Sequence, residues 1–126
     1  MPLLYDAGAL LAAERGSARA WALHREALLS RITPTLPAAV LAQVWRGGAG
    51  QANLARFLRG CFVSPDTEAL ARAAGVVCAV AGTADVVDAF VVVLARQLVA
   101  PVVTSDPSDL RRLAQAVGFG LTVHQV

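Results

Sequence analysis

Five aspartates stand where carboxylates are costly to keep and chemically useful. Asp6 closes the apolar run LLYD, Asp85 and Asp88 lie three apart in ADVVDAFVVVLA, and Asp106 and Asp109 lie three apart in TSDPSDL. A spacing of three puts both members of a pair on one face of a helix. Asp88 is the most informative, because the residues around it from Val86 to Ala95 are apolar. An ionised carboxylate buried there without partners costs several kcal/mol. It lies too deep in the helix expected there to act as a cap, so a purely structural account needs an arginine such as Arg96. The other acids have local alternatives. Asp6 and Asp106 can cap helices, Asp85 can cap beside Thr83, and Asp109 suits the first turn of a helix.

The elements that must position these acids follow from apolar runs and breakers. Short apolar or β-branched runs predict strands over Pro2–Tyr5, Arg31–Leu36, Cys61–Val63, Pro101–Thr104 and Leu121–His124. Helices are expected over Ala7–Glu14, Ala18–Ser30, Pro37–Arg46, Gln51–Arg59, Thr67–Val80, Ala84–Val99 and Asp106–Val117. Gly16, Gly47, Gly48, Gly60, Gly82 and Gly118 interrupt them. Pro37 fits a first turn, and Ser64-Pro65-Asp66 reads as a cap and turn. Strands separated by helices, with almost wholly apolar strands, indicate a parallel sheet covered on both faces. Residues 1–126 read as one domain. Ligand sites in such sheets lie at the carboxyl ends of the strands, which is where Asp6 and Asp106 fall.

Carboxylates gathered at one sheet edge repel and raise one another's pKa values. A divalent cation removes that conflict, and hard oxygen ligands select magnesium or manganese over zinc. The chemistry so implied is metal-assisted phosphodiester hydrolysis, one ion supplying the hydroxide nucleophile and another stabilising the leaving oxygen.

LLYDAGAL, LPAAVLAQVWRGG, ADVVDAFVVVLA and VVTSDPSDLRRLA, in this order over the chain, resemble the PIN domain, and within it the VapC-type toxins of bacterial toxin–antitoxin pairs. The resemblance implies a three-layer α/β/α sandwich with a central, mainly parallel five-stranded sheet. It implies an acidic Mg²⁺ or Mn²⁺ site, endoribonuclease activity on RNA, a cognate antitoxin and a homodimer. By its motifs, Asp6, Asp88 and Asp106 match the catalytic, metal-holding acids, and Asp109 joins them at the metal. Asp85 is an auxiliary, and Thr104 and Ser105 match hydroxyl positions beside Asp106. Where many relatives carry glutamate, this chain has Gln43. A carboxamide oxygen can still ligate, but it adds no negative charge, so weaker binding of at least one ion is expected. Arg46, on the same helix as Gln43, is a candidate contact to substrate or antitoxin. The alternative reading is a PIN-fold module that binds an antitoxin-like protein or RNA without cutting.

Composition excludes several rivals. The chain has eleven arginines, no lysine and nine acids, a net charge of +2. Without lysine there is no Walker phosphate loop and no Schiff-base chemistry. A receiver domain also gathers aspartates at strand ends, but its phosphoryl chemistry uses a lysine. A flavodoxin-like domain lacks its phosphate loop here, because Gly47-Gly48 ends a helix and opens none. Cys61 and Cys78 form no metal-ligand spacing or disulfide framework, which suits a reducing cytoplasm. No signal peptide or membrane span is expected, since Asp88, Arg96 and Pro101 interrupt the most apolar stretch. His24 and His124 read as surface or edge residues, and Trp21 and Trp45 as packing residues. Arg15, Arg19 and Arg25 are candidates for an RNA- or partner-facing surface. If all five aspartates gather in one place, four acids remain elsewhere against eleven arginines. The acidic pocket then lies in a basic shell suited to a polyanion.

Overall fold

The computed structural model describes residues 2–126. Its strands are β1 (Leu4–Tyr5), β2 (Thr35–Pro37), β3 (Phe62–Ser64), β4 (Val102–Thr104) and β5 (Val123–Gln125). They form one sheet in the order β3-β2-β1-β4-β5, with every pairing parallel. Leu4 lies opposite both Thr35 and Val102, and Thr104 opposite Gln125. The central strands are the most apolar and the most buried, as a sheet covered on both faces requires.

Helices α1 (Ala7–Glu14) and α2 (Ala18–Leu29) connect β1 to β2. Helix α3 (Ala38–Val44), a 3₁₀ turn (Ala49–Gln51) and α4 (Ala52–Leu58) connect β2 to β3. Helices α5 (Glu68–Ala81) and α6 (Val86–Leu98) lead to β4, and α7 (Ser108–Ala116) leads to β5. The chain steps outward from β1 through β2 to β3, then crosses back to β4 and on to β5. Right-handed crossovers in opposite directions lie on opposite faces. Accordingly α1 packs with α2, α3 and α4, while α5, α6 and α7 pack with one another. The result is the α/β/α sandwich expected from the sequence. Its direction reverses between β1 and β4, which opens a crevice at their carboxyl ends.

Local chemistry sets the boundaries. Asp6, Ser17 and Thr67 cap α1, α2 and α5 through their side chains. Helix α6 buries every residue from Ala89 to Ala95, so it lies deep in its layer. It ends at Val99, a β-branched residue held in the left-handed region at φ 52°. The second strand lies later than expected. Arg31 has φ 59°, and the N–H of Ile32 bonds back to the Ala27 carbonyl, so this stretch closes α2. Pro37 ends β2 and stands before the first turn of α3, because φ −64° and ψ 145° are extended values. Among the described residues no single helix is long and apolar enough to cross a membrane. Helices α5 and α6 are sufficiently apolar only together, and they bend by 112° at their junction.

Candidate metal and active site

Asp6 leaves β1 and enters α1. Its Oδ1 accepts the Ala9 N–H at 2.9 Å, which makes it the cap of α1. Its Oδ2 accepts the Thr104 hydroxyl at 2.5 Å. Thr104, the last residue of β4, is fully buried and also accepts the Asp106 N–H at 3.1 Å. One hydroxyl therefore ties the ends of β1 and β4 together. The Asp6 carboxyl is 5% exposed and its pKa is pushed up to about 6. Burial is the main cause and the charge of Asp88 adds to it, while the bonds from Thr104 and Ala9 oppose the rise.

Helix α6 begins at Val86, so Asp88 falls in its first turn, where the helix dipole favours an anion. Burial still raises its pKa, and Asp109, Asp85 and Asp106 raise it further, while Arg112 opposes them. The carboxylate oxygens of Asp85, Asp88 and Asp109 lie within 4.8 Å of one another. The sandwich thus brings the start of α6 against the start of α7. Neither Asp6 nor Asp106 belongs to this close group: Asp106 acts on Asp88, and Asp88 on Asp6, through charge. Asp106 turns its Oδ1 to the backbone and hydroxyl of Ser108, at 3.3 and 2.9 Å. It serves the turn into α7, while Pro107 takes the cap position.

The other expected residues surround this group. Gln43 reaches from α3 into a cleft of about 220 Å³ that it shares with Asp85 and Asp88. Asp85 makes no side-chain cap, and its N–H donates to Thr83 Oγ1 at 3.2 Å. Ser105 packs against the first turn of α1, where a Cβ on Gly8 would come within 2.4 Å of its Oγ. A side chain at position 8 would displace that hydroxyl and crowd the Ser105 N–H at 3.1 Å. Arg46 is turned to its own helix. Its guanidinium donates to the carbonyls of Ala42, Trp45 and Gln43 at 3.2, 2.7 and 3.0 Å, closing the carboxyl end of α3.

Several residues that matter were not anticipated. Arg112 lies 3.3 Å from Asp109 and 3.9 Å from Asp85, an internal counter-charge. Its spacing of three from Asp109 was the available signal. Asp66 was read as part of a local turn, but its Oδ2 accepts the Ala39 N–H at 2.7 Å and caps the helix that carries Gln43. His24 corrects the surface reading. It is buried, with Nδ1 2.9 Å from the Tyr5 hydroxyl and its ring stacked on Phe57 at 3.9 Å. Trp21 packs as expected, edge-on to Phe57 at 5.0 Å, whereas Trp45 is 41% exposed.

The donor set fits a hard divalent cation. Three carboxylates already bring their oxygens together, and the pKa of Asp88 is raised by burial first and by its acidic neighbours second, a repulsion a cation would relieve. No imidazole or thiol belongs to the group, which argues against a soft-ligand metal.

No protein-family model matches this sequence, and no curated protein matches it. Among solved structures, the chain is similar to VapBC2 from Rickettsia felis, determined bound to a DNA fragment from its promoter. The TM-score is 0.75 at 15% identity, over 100% of this chain and 99% of that one. At this identity the likeness is one of fold, and it agrees with the PIN-like architecture described above.

Proposed function

We propose that this PIN-fold chain is a divalent-metal-dependent endoribonuclease and the toxin of a toxin–antitoxin pair. On this reading it works in the cytoplasm as a homodimer and is restrained by a cognate antitoxin. The observation that carries the reading is the meeting of Asp85, Asp88 and Asp109 at the crevice where the sheet reverses direction. The VapBC structure of the same fold supports the toxin class and the antitoxin partner.

Asp88 and Asp109 would hold Mg²⁺ or Mn²⁺ with Asp85, and Asp6 would close the site from the end of β1. Such an ion supplies Lewis-acid activation of water and charge relief at the phosphate. Asp6 is ionised above about pH 6, so at neutral pH it can accept a proton from the attacking water. Thr104 fixes the orientation of that carboxylate. Asp106 contributes charge, and it gains a free oxygen only by releasing Ser108. Gln43 contributes a neutral amide to the lining of the cleft. Ser105 keeps the first turn of α1 at its fixed approach to the β4–α7 turn.

The test is cleavage of RNA with Mg²⁺ or Mn²⁺ against a chelator control, with Asp6→Ala and Asp88→Ala beside the wild type. Both variants should lose cleavage and remain folded. Full metal-dependent activity in either would sink the assignment. A second reading, a PIN-fold module that binds without cutting, is favoured by one observation. Gln43 adds no negative charge to the cleft, and Arg112 offsets part of that of Asp85 and Asp109. Partner or RNA binding with no cleavage and no calorimetric heat from Mn²⁺ would select it.

A further inference from the structure

We propose that the cleft between α2 and α4 is a second anion site, which grips the phosphates of the RNA strand away from the cut. This rests on the ribonuclease reading for the identity of the polymer, but its geometry stands apart from the acidic group.

The cleft encloses about 650 Å³ and is lined by Trp21 and Arg25 from α2, by Asn53 and Arg56 from α4, and by Arg59 just past its end. Among the described residues, no carboxylate lies within salt-bridge distance of Arg25, Arg56 or Arg59, whereas Arg72 and Arg112 have acid partners. Three unneutralised guanidinium groups therefore share one concave surface. Two of the residues around them are held in place. Trp21 Nε1 donates to the Ala13 carbonyl at 3.0 Å, which fixes the plane of the indole. The Arg56 guanidinium lies 4.8 Å from the centre of that ring and donates to Asn53 Oδ1 at 3.2 Å. A guanidinium already ordered on an aromatic face loses little freedom when it meets phosphate, and its open face can stack on a base.

An acidic peptide would also satisfy the charge. Continuity with the acidic group favours a nucleic acid strand. Gln43 lines the cleft of Asp85 and Asp88 and also the next cleft, which holds Arg46 and Glu14. The Glu14 carbonyl in turn accepts Asn53 Nδ2 at 3.4 Å, at the rim of the arginine cleft. Glu14 is the one acid lining the middle cleft, and Arg46 lines the same cleft. The surface thus runs from the acidic group to the arginines through Gln43, which two clefts share, and through the Asn53–Glu14 bond. A polymer with a phosphate at every unit can occupy both ends at once.

The experiment measures binding of a 2′-O-methyl RNA oligonucleotide, which cannot be cleaved through its 2′ position, by fluorescence anisotropy over a salt series with chelator present. Wild type is compared with the combined variant Arg25→Ala, Arg56→Ala, Arg59→Ala and with Arg56→Glu. These side chains are exposed, and circular dichroism checks that folding is intact. The combined variant should bind about tenfold or more weakly, and its log–log salt slope should be shallower by about 2, at roughly 0.7 per lost single-strand phosphate contact. Arg56→Glu alone should weaken binding, and Mn²⁺ affinity should be unchanged in both. Equal affinity and slope in wild type and variants overturn the proposal. So does wild type that fails to bind the oligonucleotide, or arginine-dependent binding of an acidic peptide with none of RNA. Arginine-dependent RNA binding by a protein that cleaves no RNA with either Mg²⁺ or Mn²⁺ supports this cleft and removes the nuclease reading instead.

Discussion

Thr104 Oγ1 donates to Asp6 Oδ2 at 2.5 Å across 98 residues of sequence, while accepting the backbone N–H of Asp106. A fully buried hydroxyl thereby joins the ends of the two central strands and holds the most buried acid of the site. Thr104→Val keeps the shape and removes both bonds. It should cost about 1–3 kcal/mol of stability, because a buried carboxylate and a part-buried N–H lose their partners. It should also raise the Asp6 pKa above about 6, since the Thr104 bond lowers it. Urea denaturation and the pH dependence of Mn²⁺ calorimetry check both effects, and Thr104→Ser should restore them.

The pH dependence of the metal-free protein has a definite sign. The Asp6 carboxyl is raised from an ordinary value of 3.8 to about 6 in the folded chain. Below 3.8 it is protonated in both folded and unfolded states and costs nothing. Above about 6 it is charged in both, and the folded state bears the full penalty, on the order of 3 kcal/mol. Asp88 is shifted in the same direction. Scanning calorimetry with chelator should therefore show a higher Tm near pH 5 than at pH 7.5. With Mn²⁺ the trend should reverse, because protons then compete with the ion. A chelated protein that loses stability on mild acidification would contradict this assignment of the buried charge.

Gln43 shares its cleft with Asp85 and Asp88. Gln43→Glu adds a carboxylate where the cation would lie. Mn²⁺ binding should tighten by about tenfold, roughly 1.4 kcal/mol, and RNA cleavage should rise at low metal concentration. If affinity and cleavage both stay where they were, Gln43 does not limit the site.

Arg112 neutralises part of the acidic group in the absence of an ion. Both its bridges are more than half exposed, so Arg112→Ala should cost less than about 1 kcal/mol of metal-free stability. At pH 8, where proton competition is small, the variant should bind Mn²⁺ more tightly than wild type. Weaker binding in calorimetry would mean that Arg112 orients Asp109 rather than competing with the cation.

Val99 ends α6 at φ 52° with its side chain 83% exposed. A β-branched residue is strained there and gains little from packing. Val99→Gly should stabilise the chain by about 1 kcal/mol, visible as a raised Tm, with no change in Mn²⁺ affinity. A lower Tm would show that the loss of Val99 contacts outweighs the relief of strain.

The sheet, its parallel sense and the acids at its edge were legible because each rests on local rules. Apolar runs bounded by glycine and proline mark strands, and Asp88 stands out as a charge in an apolar helix. The membership of the close acidic group was less legible. Asp106 follows β4 by two residues, yet Ser108 draws its carboxylate into the local turn, while Asp85, expected as a cap or an auxiliary of the site, joins Asp88 and Asp109. Those outcomes depend on side-chain direction within a turn, which spacing does not specify. His24 was misread for a related reason. Its burial comes from Tyr5 and Phe57, whose placement near it depends on how α2 and α4 pack on the sheet.

By itself, the sequence determined the inventory. Eleven arginines without lysine exclude lysine chemistry, the order of strands and helices calls for a doubly covered parallel sheet, and Asp6 and Asp88 are carboxylates in apolar settings. Only the tertiary structure decided which charges meet. The crossover from β3 through α5 and α6 to β4 sets the first turn of α6 beside that of α7, which creates the Asp85–Asp88–Asp109 group with Arg112 against it. The packing of α2 on α4 leaves three arginines without acids around one cleft. The physical reason is that Coulombic energy depends on distance and burial. Both are properties of the packed helices, whereas the sequence specifies only the charges that packing arranges.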